Sequence, residues 1–338
     1  MLNRKNLFNT MLGDRSQWRV FIILIFAVCA LGGILLSLRV GSLSISVNDI
    51  VSAILTDNSG ANRQVIWNIR LPRTLVGALV GVNLSLAGAI LQGVMKNPLA
   101  DPHIIGVSSG AGLAGVSIMV LFPHKEYLVT PVAFMGAMVA AVFIYILAWK
   151  GGIRPVRIIL AGVAVSAFLN SAISALLVFY SDRVHGALMW MVGGLSARSW
   201  PHLDIILPYT ILGGIFAILG ARRLNILNLG DEIARGLGLN VEVSRIAMTA
   251  VAALLAASAV SVVGLLGFVG LIVPHAARLL VGSDYRYLLP ASALLGVAVV
   301  TLSDTLARAL FSPIEIPVGI IMAFIGAPFF LYLLRRDA

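Results

Sequence analysis

The sequence predicts an all-α, polytopic integral membrane protein with about ten transmembrane helices. Two observations support this prediction. The 338 residues are 59% hydrophobic and only 11% charged, whereas a soluble protein of ordinary composition has about 25% charged residues. Long runs without Asp, Glu, Lys or Arg also recur along the chain, and they are continuously apolar instead of alternating with period 2. Such runs favour helices over a β-barrel.

Nine such runs occur, and each is at or near the ~17–25 residues that a helix needs to cross the ~30 Å hydrocarbon core of a bilayer. The runs are 20–38, 74–95, 104–122, 127–149, 158–181, 205–221, 246–277, 287–303 and 316–334. The run 246–277 has 32 residues and is too long for one straight span. We divide it at Gly264 and Gly267, which gives ten spans.

The first span follows residues 1–19, which we expect to be a cytoplasmic tail. Cys29 is the only cysteine, so the sequence offers no disulfide framework and no cysteine-based metal site. A lipoprotein signal is disfavoured because Val28 stands where a small residue would precede the cysteine, and the apolar run continues past it. The connections between spans are too short to fold separately, so we expect residues 1–338 to form one transmembrane domain.

The net charge of +10 is explained by orientation in a membrane and not by binding to nucleic acid. With ten spans and a cytoplasmic N-terminus, sixteen of the 24 basic residues fall in cytoplasmic segments and the other eight in outer segments. This distribution follows the positive-inside bias. An even number of spans places the C-terminus inside as well. We therefore expect a multi-pass protein of the cytoplasmic (inner) membrane with both termini in the cytoplasm.

The chain shows no motif for covalent chemistry or ATP hydrolysis. The P-loop pattern GxxxxGK[ST] does not occur, so the lysine that contacts the β- and γ-phosphates is missing. The sequence GAGLAG at 110–115 fits a dinucleotide-binding pattern, but it lies in an apolar run with no acidic residue nearby, and close helix packing is the favoured interpretation. The histidines are scattered singly. We expect no enzyme activity, no catalytic residues, no cofactor and no metal site.

Charged residues at the predicted outer ends of spans are candidates for binding. Arg70 and Arg73 flank Pro72, a residue that suits the first turn of a helix. Asp304 and Arg308 are spaced i, i+4 and so share one helical face. These groups either anchor and pair structurally within the membrane or meet an acidic partner outside it.

The longest predicted cytoplasmic loop, 221–245, contains the sequence LGDEIARGLG. Asp231 and Glu232 suit the first turn of a short helix, where the helix dipole favours negative charge. Gly238 suits its end, and Asn240 can cap a second short helix that leads to Arg245. Such a segment is either a plain connector or an ordered contact surface.

Ser166, Asn170 and Ser174 share one face of the predicted fifth span. Polar residues inside spans most often form hydrogen bonds between helices. Three of them on one face of an apolar helix also fit a stripe that lines a pathway.

Several blocks, taken together and in order, resemble the permease family that imports iron–siderophore complexes, haem and cobalamin. They are RLPRTLVGALVGVNLSLAGAILQGVMKNPLADPHIIGVSSGAG at 70–112, LGDEIARGLG at 229–238, FVGLIVPH at 268–275, LSDTLAR at 302–308 and EIPVGIIMAFIGAPFFLYLL at 315–334. The resemblance implies a fold like that of the cobalamin-importer permease and a role as the membrane subunit of an ABC importer. It implies as partners a second permease copy or a paralogue, two ATPase subunits, and an extracytoplasmic substrate-binding lipoprotein or periplasmic binding protein.

The resemblance also assigns roles to residues. It implies that Arg70, Arg73 and Arg308 are exposed on the outer face and dock carboxylates of the binding protein, and that the fifth span with Ser166, Asn170 and Ser174 flanks the translocation pathway. It implies ATPase coupling for Leu229, Gly230, Asp231, Glu232, Ala234, Arg235, Gly236, Leu237 and Gly238. A ferric siderophore is the expected cargo, with haem and cobalamin as alternatives.

The main rival is a secondary transporter driven by an ion gradient. Such a protein normally carries carboxylates deep inside its spans, whereas the one candidate here, Asp304, is near a span end beside an arginine. A channel is disfavoured because no filter loop is repeated, and a membrane enzyme because no catalytic cluster is visible.

Overall fold

The computed structural model describes residues 2–41, 45–55, 61–150 and 155–336. Within these ranges the secondary structure is helical throughout. The α-helices are α1 (Leu2–Arg39), α2 (Val47–Leu55), α3 (Ala61–Val65), α4 (Leu71–Met95), α5 (Val107–Leu121), α6 (Val129–Ala148), α7 (Pro155–Phe179), α8 (Val184–Val192), α9 (Trp200–Asn228), α10 (Asp231–Gly236), α11 (Val241–Val263), α12 (Val269–Val281), α13 (Tyr285–Ala309) and α14 (Val318–Arg336).

Ten of these helices correspond to the predicted spans. Seven stretches are long and apolar enough to cross a membrane, and they belong to α1, α4, α6, α7, α9, α11 and α13. Three shorter apolar helices, α5, α12 and α14, complete the set in the described residues. The prediction of an all-α fold with about ten membrane helices is therefore confirmed.

The long run 246–277 is divided where the glycines predicted a break. α11 ends at Val263, and Gly264 follows with φ +82°, a conformation that glycine adopts without the penalty of a Cβ. α12 then begins at Val269. The division is confirmed.

Two predicted boundaries are wrong. The predicted loop 221–245 is only 229–240, because α9 continues to Asn228 and α11 already begins at Val241. Asn240 does cap a helix, and its side chain accepts a hydrogen bond from the backbone N–H of Val243, but that helix is α11 and not a short one. Residues 2–19 of the predicted tail lie within α1, whose apolar membrane segment begins at Ser16. The cytoplasmic location of this tail stays a prediction.

The core is built round α4, whose most apolar stretch is 83% buried. Small residues let the neighbouring helices approach it closely. A Cβ added to Gly88 would collide with the carbonyl oxygen of Gly270 in α12, and one added to Gly81 with that of Gly296 in α13. α7 lies at the periphery, and only 17% of its corresponding stretch is buried.

The sequence GAGLAG lies in α5 and packs it against α6. A Cβ on Gly110 would collide with the carbonyl oxygen of Gly136, and one on Gly115 would meet the ring of Trp190. Close helix packing, the favoured interpretation of this motif, is confirmed.

Candidate docking, coupling and pathway sites

Five charged residues form a cluster at the end of the molecule that is predicted to face outward, and we call it the outer charge cluster: Arg70, Arg73, Asp304, Arg308 and Glu315. They come from the start of α4, the last turns of α13 and the connection to α14. The three arginines are 5–7% exposed and Asp304 is 1% exposed, whereas the side chain of Glu315 is 44% exposed. Four of the five groups are therefore withdrawn from solvent.

Asp304 lies at the centre of this cluster. Arg73 donates to it twice, from Nε to Oδ2 at 3.1 Å and from Nη2 to Oδ1 at 2.9 Å. The Nε of Arg308 lies 3.1 Å from the same Oδ2, which confirms the predicted i, i+4 pair. Arg73 also donates through Nη1 to Glu315 Oε2 at 2.8 Å. Bidentate arginine–carboxylate pairs are among the stronger polar contacts in proteins.

The arginines also donate hydrogen bonds to carbonyl groups at the C-terminal end of α1. This helix ends at Arg39, so its last carbonyl groups have no donors within the helix. Arg70 donates through Nη1 to the carbonyls of Leu38 at 2.8 Å and Arg39 at 3.0 Å. Arg308 donates through Nη2 to the carbonyl of Ser37 at 3.1 Å. Positive groups at a helix C-terminus are also favoured by the helix dipole.

The expectation that Arg70, Arg73 and Arg308 are exposed is therefore wrong for this conformation. A guanidinium group at membrane depth needs a counter-charge or carbonyl acceptors, and Asp304 and the end of α1 supply both. A docking role for the three arginines stays a prediction.

Sequence reasoning missed one member of the cluster, Glu315, and one neighbour of it, Arg198. Burial raises the pKa of Glu315, but the hydrogen bond and charge of Arg73 outweigh burial and lower this pKa overall. Ser196 Oγ also donates a hydrogen bond to Glu315 at 3.2 Å. Burial and the nearby charge of Arg73 lower the pKa of Arg198 to about 10. The available signal for Glu315 was its position as the single acidic residue just before the last apolar run.

The predicted cytoplasmic coupling segment is built round α10. Gly230 precedes this helix with φ +111°, and Gly238 follows it with φ +81°, so both positions suit glycine. Asp231 and Glu232 occupy its first turn. The predicted start and end of this short helix are confirmed, and the predicted coupling residues lie together in one segment.

Asp231 connects α10 to the membrane helices through hydrogen bonds. Its Oδ1 accepts from Lys96 Nζ at 2.6 Å and from Arg245 Nη2 at 2.8 Å. Burial raises the pKa of Asp231, but the hydrogen bonds and charges of these two partners outweigh it and lower the pKa overall. Ala234 is completely buried and packs against residues of α9 and α11. One face of the segment is thus fixed to the domain.

The other face of the segment exposes an apolar stripe, which we call the α10 stripe: Leu229, Ile233 and Leu237. These side chains are 55%, 55% and 60% exposed. Ile233 lies within α10, and Leu229 and Leu237 lie just before and just after this helix. A Cβ added to Gly236 would meet no atom of the described residues within 4 Å. Ile233 was missed by sequence reasoning, although it is the single large apolar residue within the predicted short helix.

The predicted pathway residues lie on α7. Ser109 of α5 donates to Ser166 Oγ at 3.0 Å, so this serine joins two helices. Asn170 and Ser174 are exposed, and the Ser174 hydroxyl donates to the carbonyl of Asn170. Of these three residues, Ser166 is the one with a hydrogen bond to a neighbouring helix among the described residues.

Comparisons with known proteins agree with this architecture. The family model of the FecCD transport family matches residues 23–336. The Fe(3+)-citrate import system permease protein YfmD of Bacillus subtilis strain 168 is 38% identical over 322 residues, which cover 95% of this chain and 96% of that protein. The cobalamin import system permease protein BtuC of Halobacterium salinarum is 46% identical over 272 residues, or 80% of this chain and 73% of that protein.

A solved structure described as an inward-facing ABC transporter of metal-chelate type superposes with a TM-score of 0.83 at 29% identity, covering 93% of this chain and 99% of that one. The family match spans nearly all of the membrane helices described above. This chain belongs to the FecCD transport family.

Proposed function

We propose that this chain is the transmembrane permease subunit of a binding-protein-dependent ABC importer that carries a ferric siderophore across the cytoplasmic membrane. A separate subunit hydrolyses the ATP. The observation that carries the proposal is the α10 stripe: large apolar side chains stand exposed on a segment whose other face is fixed to the membrane domain. Exposed apolar patches of this kind mark contacts with other proteins.

The anchoring of α10 explains how movement of an ATPase reaches the membrane helices. Asp231 connects α10 to Lys96 at the end of α4 and to Arg245 at the start of α11. These two helices contain the most buried apolar stretches of the described spans, 83% and 72%. A displacement of α10 is therefore passed to the core and not to a peripheral helix, which suits a switch between outward- and inward-facing forms.

A second permease copy, or a paralogue, completes the proposed pathway. α7 is the least buried of the seven long candidate spans, and its exposed Asn170 and Ser174 face away from the described core. In a dimer, this face with Ser166 is the side of the pathway that the chain contributes. Two ATPase subunits then lie beneath the two α10 segments.

The outer end is the proposed docking face for the extracytoplasmic binding protein. There Arg198 adds a fourth guanidinium to those of the outer charge cluster, against the two carboxylates of Asp304 and Glu315, so the surroundings favour an acidic partner. Because Arg70, Arg73 and Arg308 already have internal acceptors, an incoming carboxylate competes with those acceptors. Loss of binding in an arginine variant is therefore interpretable only when the variant is shown to be folded.

The cargo assignment rests on relatives. YfmD is named for import of Fe(3+)-citrate and BtuC for import of cobalamin, so cobalamin remains the second candidate. Competition between a labelled ferric siderophore and unlabelled cobalamin, measured as uptake into vesicles with the full importer, distinguishes them. Absence of ferric siderophore uptake, together with uptake of labelled cobalamin by the same vesicles, would contradict the iron assignment.

Ile233→Glu tests the coupling role directly. A charge placed at the centre of a desolvated contact costs about 2 kcal/mol or more, which is about thirtyfold in affinity. We expect the variant to lose co-purification with the ATPase and to lose uptake, while its membrane level stays normal. Gly236→Val adds bulk where the permease itself has open space, and we expect the same result.

Tyr127→Glu is the matched control, because this side chain is 75% exposed but lies in the outer connection before α6. It should keep the ATPase bound. Wild-type co-purification and uptake in both Ile233→Glu and Gly236→Val would show that the segment is only a connector. ATP-dependent uptake in sealed vesicles without an ion gradient separates the proposal from a secondary transporter.

A further inference from the structure

A groove between α6 and α11 has no role in the proposed transport cycle. It encloses a cavity of about 440 Å³, lined on one side by Met138, Val142 and Trp149 and on the other by Ile246 and Ala250. Some of its residues are large, apolar and exposed: Val142 is 53% and Trp149 51% exposed. The groove therefore opens on the outside of the helix bundle, where membrane lipid is the surrounding solvent.

The length and depth of the groove match one leaflet. It runs along α6 from Met138 to Trp149, about 16 Å at 1.5 Å per residue, which is close to half of a ~30 Å hydrocarbon core. Trp149 follows the last residue of α6, at the end where α11 leaves the cytoplasmic coupling segment. Tryptophan is favoured at the level of the lipid headgroups. The groove thus starts at the inner interface and ends near the bilayer centre.

The floor of the groove accommodates a hydrocarbon chain. Its polar groups are the hydroxyls of Tyr145 and Thr249, and these bond to each other across the two helices. Because Tyr145 donates its proton to Thr249 Oγ1, an acyl chain that covers the pair does not break this hydrogen bond.

The interfacial end of the groove is basic. The stretch 149–157, from the end of α6 into the first turn of α7, contains Lys150, Arg154 and Arg157 and no acidic residue. Arg154 lies outside the described residues. Arg157 Nη1 donates to the carbonyl of Lys150 at 2.5 Å. This bond holds the guanidinium beside Lys150, which directly follows Trp149. A guanidinium has five N–H donors, and this bond uses one. The chemistry at this corner suits a phosphate.

We propose that the α6–α11 groove binds one anionic phospholipid of the inner leaflet. One acyl chain lies in the groove over Tyr145, and the phosphate is held by Lys150 and Arg157 beside Trp149. Since α11 carries Arg245, the anchor of α10, the lipid contacts the helix that links the coupling segment to the core.

The proposal is tested with the full chain in phosphatidylcholine vesicles that contain increasing fractions of brominated phosphatidylglycerol. Bromine quenches nearby tryptophan, and subtraction of a Trp149→Phe variant isolates the signal of Trp149 from those of the other four tryptophans. We expect quenching at a lower lipid fraction than with brominated phosphatidylcholine. Each of Lys150→Gln and Arg157→Gln should raise the fraction needed about fivefold.

Ala250→Phe fills the groove from α11, where the alanine is exposed and its replacement disturbs no core contact. It should reduce quenching of Trp149 by either lipid. Ile218→Phe, at a side chain that is 62% exposed on α9, is the matched control and should not. Because Ala250→Phe alters no charge, its result stays informative if a charge variant folds poorly.

Three outcomes would overturn the proposal. Equal quenching by the two brominated lipids would show a groove without preference for anionic headgroups. Unchanged quenching in Ala250→Phe would show that no chain lies in the groove. Cross-linking of Val142→Cys to a second permease copy, in a Cys29→Ser background, would show that this face is a contact between protein subunits.

Discussion

The ion pair between Arg73 and Asp304 leads to the sharpest stability prediction. Asp304→Asn keeps the size of the side chain and one carbonyl oxygen, but it removes the negative charge that faces both Arg73 and Arg308. We expect this variant to be strongly destabilised. The matched control is Glu315→Gln, because Glu315 is the other carboxylate bonded to Arg73, at 2.8 Å.

The expected size follows from burial. The side chain of Asp304 is 2% exposed and those of its arginines are 8% and 5% exposed, so removal of one partner leaves uncompensated charge in a poorly solvated site. Breaking such a buried pair costs about 3–5 kcal/mol. The loss is held to this range because Arg308 keeps the carbonyl of Ser37 as an acceptor. Glu315 is 44% exposed, and an exposed pair contributes about 0–1 kcal/mol.

The assay measures the thermal midpoint of the detergent-solubilised permease. The folded fraction that remains in heated samples is quantified by size-exclusion chromatography. With ordinary unfolding entropies per residue, a loss of about 3–5 kcal/mol corresponds to about 4–7 °C for a chain of this length. Glu315→Gln should shift the midpoint by less than about 1.5 °C. Both variants should be compared at low and high salt, since only the exposed pair is screened.

A shift in Asp304→Asn no larger than that in Glu315→Gln would refute the reasoning. It would mean that the C-terminal end of α13 is hydrated enough to solvate two arginines. The arginines would then be available to a docking partner without first breaking an internal pair.

Three further predictions concern packing, pH and orientation. Gly88→Ala forces a methyl group into the carbonyl oxygen of Gly270, and we expect a loss of more than about 3 kcal/mol in stability. Gly32→Ala is its control, because a Cβ at Gly32 meets nothing within 4 Å. It should be neutral or slightly stabilising in the same thermal assay. Hydrogen bonds from Arg286 lower the pKa of Asp284 from 3.8 to about 2, so the contribution of Asp284 to stability is complete above pH 4 and is lost as the pH falls towards 2. The difference in thermal midpoint between wild type and Asp284→Asn should therefore shrink over that interval. A constant difference would contradict the pKa shift. A reporter active only in the cytoplasm should work when inserted near α10 and fail near Lys125, and the reverse pattern would overturn the orientation.

The helical spans were predictable because their signal is local. A helix in lipid satisfies its own backbone hydrogen bonds, so continuous apolar runs, together with the break at Gly264, were sufficient to predict ten membrane helices. The short helix α10 was predictable for the same kind of reason, since acidic residues at its start and glycines at its ends act on the backbone next to them.

The boundary errors have the opposite cause. α9 continues through residues 221–228 although this stretch contains Arg222 and Arg223, because helix formation does not stop where the apolar run ends. Charge marks the edge of the hydrocarbon layer, whereas the helix end depends on caps and neighbouring contacts. The predicted loop was therefore too long at both ends.

By itself, the sequence determined the class of the protein, the number of its membrane helices, its family and the position of the segment at α10, all of which depend on residues close together in the chain. Only the tertiary structure decided that Arg70, Arg73 and Arg308 are buried, because apart from the local pair of Asp304 and Arg308 their partners lie 31 to 271 positions away in sequence. It also decided that Asp231 connects α10 to two core helices. Whether a charged side chain faces solvent depends on which distant helix supplies its counter-charge, and no local pattern encodes that.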